Sequence, residues 1–425
     1  MANASPLIEA AHDAFARRDW LVALEHFTAA RDKGPLSAED IDALAETAWW
    51  LGEIDESLSA YDQAHRLYLD EGRPRRAAMS AMFLAAHSME RGDVAVGSGW
   101  MNRVHRLLRD QPEGPEHGYP MYFDVFSAMS RGALDDAAAH ARRMQEIGHR
   151  FGDPNVSALG VLGEGRAFIK QARVNEGMPL VDDAMIAALS DELHPLWTGA
   201  IYCHLMDVCR ELIDLRRAGE WTQATARWCE SLPKAVLYRG ICRVHRAQVL
   251  QVQGEWDEAE REATRACDDV RSMHVGTVAE GQYEIGEIRR LHGDLAGAEE
   301  AFKRAHELGR DPQPGLALLR LAQGSVDAAS ASIRAALSLE SLDGLARARL
   351  CAAGVEIALA AGDIEKARAA SDELAATTSA YGTSGLQAAS RQASGAVLIA
   401  DGAAAQASDA AVNNASENRS TGRRP

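Results

Sequence analysis

The sequence predicts an all-α chain built as an α-solenoid of about 10–11 stacked helix pairs. Three observations carry this. A short phrase recurs, as in "VQGEWDEAEREATRACDDV" from Val252, "LHGDLAGAEEAFKRAHEL" from Leu291, "AQGSVDAASASIRAAL" from Ala322 and "AAGDIEKARAASDEL" from Ala360. Alanine is abundant while aromatic residues make up 6%. That mix suits close-packed helices, because alanine gives up no side-chain entropy in a helix and lets backbones approach. Finally, the small and bulky residues of the phrase recur at offsets that share one helical face.

The elements follow in order from one marker per unit. The markers are Arg18, Gly52, Gly92, Gly132, Ala172, Gly219, Gly254, Gly293, Gly324, Gly362 and Gly402. Glycine there takes the left-handed conformation that stops a helix. Two places on, an apolar residue anchors the next helix: Trp20, Ile54, Val94, Leu134, Val174, Trp221, Trp256, Leu295, Val326, Ile364 and Ala404. Five places on, a small residue lets two helices cross closely: Ala23, Ser57, Gly97, Ala137, Gly177, Ala224, Ala259, Ala298, Ala329, Ala367 and Ala407. Nine places on, a bulky residue fills the crossing in most units, among them Phe27, Tyr61, Met101, Trp228 and Phe302. Each unit is thus a helix–turn–helix pair that cannot bury its apolar face alone, and stacking the pairs produces a continuous core.

This pattern resembles the tetratricopeptide repeat (TPR) over roughly residues 10–400. The usual repeat has about 34 residues, whereas most units here run nearer about 40, which implies longer helices or loops. The resemblance implies a right-handed superhelix in which the first helix of each pair lines the concave side. Two blocks carry a narrower likeness: "PLWTGAIYCHLMDVCRELIDLRRAGEWTQATARWCE" from Pro195, continued by "RGICRVHRAQVLQVQGEWDEA", and "GVEIALAAGDIEKARAASDELAATTSAYGTSGLQAASRQASGAVLIADGAAA" from Gly354. Both resemble the helical-repeat region of large LuxR-type bacterial transcription regulators. In that family the array often follows an ATPase module and precedes a C-terminal helix-turn-helix. Neither neighbour occurs in these 425 residues, and no G-x-x-x-x-G-K-[ST] phosphate loop is found.

Composition narrows the function. Apolar residues make up 47% and charged residues 25%, as in a water-soluble globular chain. A net charge of −17 repels phosphate backbones and anionic lipid, so neither direct nucleic-acid binding nor membrane association is expected. No stretch is apolar enough for a transmembrane helix, and the start "MANASPLIEAAHDAFARRDW" has no secretion-signal pattern. The six cysteines have no paired spacing and read as reduced thiols, which together with the missing signal points to the cytoplasm. The repeat array is expected over 1–407 and a disordered tail over 408–425, where Asn, Ser, Gly and Arg dominate. A truncated relative and a native short tail account for that end equally.

Counting back from the markers assigns a concave groove to Met79, Met82 and Met89 in the third unit and to Tyr119, Tyr122, Phe126 and Met129 in the fourth. A groove of methionine and aromatic side chains suits an apolar peptide or amphipathic helix, and ordinary core packing is the competing account. The same count gives polar positions at Glu39, Asp42 and Glu46, and at Glu280, Tyr283, Glu287 and Arg290. They read either as an acidic groove end for a basic partner or as a solvated helix face. Cys242 and His245 have metal-ligand spacing without a second pair, and no partnered nucleophile or G-x-S-x-G elbow is found. No catalytic residue, metal or cofactor is therefore assigned. The expected function is a non-catalytic protein-interaction or regulatory scaffold, resembling the sensory array of a LuxR-type regulator. The alternative is a subunit or truncated form of a transcription regulator that acts through a separate DNA-binding partner. Expected partners are a protein or peptide, with a small-molecule inducer and a homo-oligomer also compatible.

Overall fold

The computed structural model describes residues 5–231, 236–339 and 343–402. Among them all regular structure is helical: α1 (Ser5–Ala16), α2 (Trp20–Arg31), α3 (Ala38–Leu51), α4 (Ile54–Asp70), α5 (Pro74–Glu90), α6 (Val94–Leu108), α7 (Gly118–Ser130), α8 (Leu134–Phe151), α9 (Pro154–Lys170), α10 (Val174–Leu189) and α11 (Pro195–Glu211). The chain continues through α12 (Leu215–Ser231), α13 (Val236–Gln253), α14 (Trp256–Asp269), α15 (Val275–His292), α16 (Leu295–Glu307), α17 (Gly315–Ala322), α18 (Val326–Leu337), α19 (Gly344–Ala360), α20 (Ile364–Tyr381) and α21 (Ser384–Ala400). They form antiparallel pairs stacked in series, an α-solenoid. The expected tail at 408–425 and the positions Ala404 and Ala407 lie outside the described residues. No helix among the described residues is long and apolar enough to cross a membrane.

The marker turns follow from local backbone physics. Gly52, Gly92, Gly132, Gly254, Gly293, Gly324, Gly362 and Gly402 all have positive φ, and so do the non-glycine markers Arg18 and Ala172, each at 61°. Gly219 is different. It lies inside α12, and the turn of that unit is made by Ile213 at φ 55°. Ile213 stands 41 residues after Ala172 and 41 before Gly254, so the spacing closes once the marker moves. The small crossing residue shifts with it. Ala218 is buried, whereas the expected Ala224 is only partly so. The long period resides in the helices: α8 has 18 residues and α9 has 17, against 8 in α17, which belongs to the shortest unit.

Packing uses the small positions as crossings. Ala23, Ser57, Ala137, Ala259, Ala298, Ala329 and Ala367 are fully buried. At the α9–α10 crossing a Cβ on Gly177 would lie 2.5 Å from the Gly165 carbonyl oxygen, so only glycine fits. The odd-numbered helices from α7 onward touch one another in sequence and form the inner layer.

The coil is tight enough for its turns to meet, about five pairs apart. Trp49 of α3 packs edge-on against Tyr238 of α13, with ring centroids 6.1 Å apart. His194 Nε2 at the start of α11 lies 2.9 Å from Glu46 Oε1 of α3. Lys170 Nζ at the end of α9 pairs with Glu211 at 3.0 Å and reaches Asp343 before α19 at 2.8 Å. Tyr381 Oη of α20 donates to the Lys170 carbonyl oxygen at 3.2 Å. The largest apolar cluster accordingly runs from α5 to α12 and takes in Leu345, Tyr381 and Leu386 from the next turn.

Candidate binding chamber inside the superhelix

The inner layer encloses a chamber between α11, α13 and α15. One cavity of about 510 Å³ is lined by His204, Asp207, Ile241, Val244, His274 and Thr277 among others. A second of about 220 Å³ is lined by Met206, Val249, Tyr283, Glu284, Glu287 and Arg349 among others. Arg210, His245, Gln248, Glu280 and Arg310 line both, so the two are compartments of one space. A third cavity of about 220 Å³ reaches toward α12 past Cys229, Cys242 and Arg243. Cys229 Sγ and Cys242 Sγ are 2.8 Å apart there, and both are free thiols.

The expected groove residues divide. Met82 is 1% exposed, and it belongs to the core formed by α5 with its neighbours. It is removed from the groove, because α5 is packed between α4 and α6 and Met82 is covered there. Met89 lies directly over Gly97 of α6, where an added Cβ would meet its side chain at 2.5 Å. Met79 and Met129 are half-buried against the same core. The aromatics of α7 do turn inward, but α11 meets them. Tyr119 stacks on Trp197, with centroids 5.4 Å apart, and donates to Asp153 Oδ2 at 2.9 Å. Tyr122 Oη and His204 Nε2 are hydrogen-bonded at 2.8 Å, and Phe126 stacks flat on the His204 ring at 4.1 Å. Burial, with Arg166 nearby, drives the His204 pKa down to about 3, so the ring is neutral at the chamber wall.

The polar register positions fall in two places. Asp42 is enclosed between α3 and α5, where Ser80 Oγ donates to it at 3.0 Å and burial pushes its carboxyl up to about 6. Burial would also raise Glu46, but the His194 charge and hydrogen bond outweigh it and hold the carboxyl below its ordinary value. Glu39 pairs with Arg73 at the surface. In contrast, Glu280, Tyr283 and Glu287 line the chamber, and Arg290 holds Glu287 at 3.1 Å. The Arg310 guanidinium lies 4.3 Å over the Tyr283 ring and pairs with Glu280 at 2.6 Å.

Counting from the markers missed Glu284, His204, Arg210, His245 and Arg349. These are wall residues of the chamber, and they come from α11, α13, α15 and α19, up to four pairs apart. One signal was available: Glu280, Glu284 and Glu287 repeat at offsets of four and three on α15, which places three carboxyls on one face.

No family model and no curated relative matches the chain. Its fold is similar to solved structures at low identity. A Rap protein complexed with competence and sporulation factor is 12% identical, over 81% of this chain and 99% of that one, with a TM-score of 0.53. A tetratricopeptide repeat protein from Parabacteroides merdae is 14% identical, over 65% and 98%, with a TM-score of 0.40. Yeast Tom70 is 13% identical, over 95% and 96%, with a TM-score of 0.38. The likeness is one of fold.

Proposed function

We propose that the chain is a non-catalytic binding module that takes up a peptide segment in the chamber between α11, α13 and α15. The observation that carries this reading is the chamber itself, a concave space of several hundred Å³ whose walls combine apolar side chains with many converging polar and charged ones. The Rap protein of similar fold was solved in complex with competence and sporulation factor. Uptake would alter how neighbouring pairs sit, and small rotations per pair add along a solenoid, so occupancy would be reported at its ends. The test is retention of a random heptapeptide pool on the immobilised protein and on Gln248→Trp, which fills both compartments. Peptides retained by the wild type and lost at least tenfold by a folded Gln248→Trp are expected. Equal retention by both, or none by the wild type, contradicts the reading.

A second reading makes the array the sensory part of a transcription regulator with a separate DNA-binding partner. It rests on the sequence resemblance of two blocks, which also touch in the fold. The two LuxR-like blocks, 195–230 and 354–405, meet across the turn, where Thr383 Oγ1 donates to the Leu212 carbonyl oxygen at 3.0 Å. Co-purification with a helix-turn-helix protein identified by mass spectrometry is expected on this reading, and its absence removes it.

A further inference from the structure

The chamber contains a buried acid with one oxygen that no group among the described residues answers. On the inner face of α15, Glu280 is taken by Arg310 and Glu287 by Arg290. Glu284 stands between them, 5% exposed and lining the cavity, and its Oε1 has no hydrogen-bond partner. A carboxyl left so is costly to bury. The charged and titratable groups around it are Arg210 from α11, His245 from α13, Arg310 before α17, Arg349 from α19 and the two neighbouring glutamates, and none is within ion-pair reach of it. Burial first, then Glu287, pushes Glu284 up to about 8, so in the empty chamber it is protonated at neutral pH. An arriving cation reverses that balance, because an opposite charge at hydrogen-bond distance in a low-dielectric site favours the ionised carboxylate. Arg310 and Arg290 already answer the two neighbouring carboxyls, so Glu284 is the acid of this face that keeps an open oxygen.

The geometry points to Glu284 as the anchor for one cationic hydrogen-bond donor, a primary ammonium or guanidinium, on the segment that the chamber takes up. This rests on the chamber being the binding site, and it adds the chemistry that selects the occupant. The adjoining compartment leaves room for the flanking residues of an extended segment.

The test uses four pools of hexapeptides, acetylated and amidated at their ends and random except at one position fixed as Lys, Arg, Gln or Glu. Retention is measured at pH 7.5 on wild type, Glu284→Gln and, should the amide variant not fold, Glu284→Met. The Lys and Arg pools are expected to be retained at least tenfold above the Gln and Glu pools on wild type, with the ratio falling to within twofold on the variant. Equal retention of all four pools leaves the chamber as a binding site and overturns the anchor. A Lys preference that survives the substitution, or a preference for Glu, also overturns it. If no pool is retained, the peptide reading fails, and n-butylguanidinium then decides the anchor by itself. A rise in melting temperature for wild type and none for the variant supports it, and no rise in either overturns it.

Discussion

Ala172 at φ 61° holds a left-handed turn with a side chain that disfavours it. Ala172→Gly is expected to stabilise the protein by about 1 kcal/mol and Gly254→Ala, at φ 86°, to destabilise it by at least as much, both read from denaturant unfolding. Glu284 gives a pH signature. The fold holds its proton up to about pH 8, whereas the unfolded chain releases it near 4.5. Across that window unfolding therefore releases a proton, and its contribution to stability, complete below 4.5, is lost as pH rises to 8. Relative to Glu284→Gln, wild type is expected to lose up to about 5 kcal/mol between these limits. Parallel stability profiles for the two proteins would contradict the burial of an unpaired acid.

Helices were legible where a helix ends on glycine and crosses its partner on a small residue. Glycine's left-handed freedom and alanine's size leave direct traces in the sequence, and eight glycine markers take the expected conformation. The sixth unit misled because Gly219 and Ala224 imitate the phrase, whereas the chain places the strained residue at Ile213. There Gly385 from the next turn packs directly against the Ile213 backbone, a contact that no local pattern contains. The concave assignment failed at Met82 for a related reason. Register counted back from a marker gives a helix face but not what covers it, and α5 is packed against both α4 and α6. At the crossings, Gly177→Ala brings a methyl against the Gly165 carbonyl, and a loss of about 1–3 kcal/mol is expected by thermal unfolding. Ala298→Phe, at a fully buried crossing of α16, is expected to be at least as damaging.

Contact between turns turns an open scaffold into an enclosure. The chamber exists because α11, α13 and α15 sit inside a coil whose neighbouring turns are latched by Lys170, Glu211 and Asp343, with Arg166 on Glu211 at 3.2 Å. Burial alone would raise the Asp343 carboxyl, but Lys170 and the Ala346 backbone N–H outweigh it and hold it low. Lys170→Met removes the shared cation and is expected to cost about 3 kcal/mol and to increase the radius of gyration in solution scattering. An unchanged radius would mean that apolar contact alone closes the turns. None of this was legible in the chain as a string, because the meeting residues lie 173 positions apart in the Lys170–Asp343 pair. The most direct measurement is backbone hydrogen exchange with and without a retained Lys-containing peptide. Added protection is expected on α11, α13 and α15. Protection confined to the outer helices, or none on α15, would contradict an interior binding site.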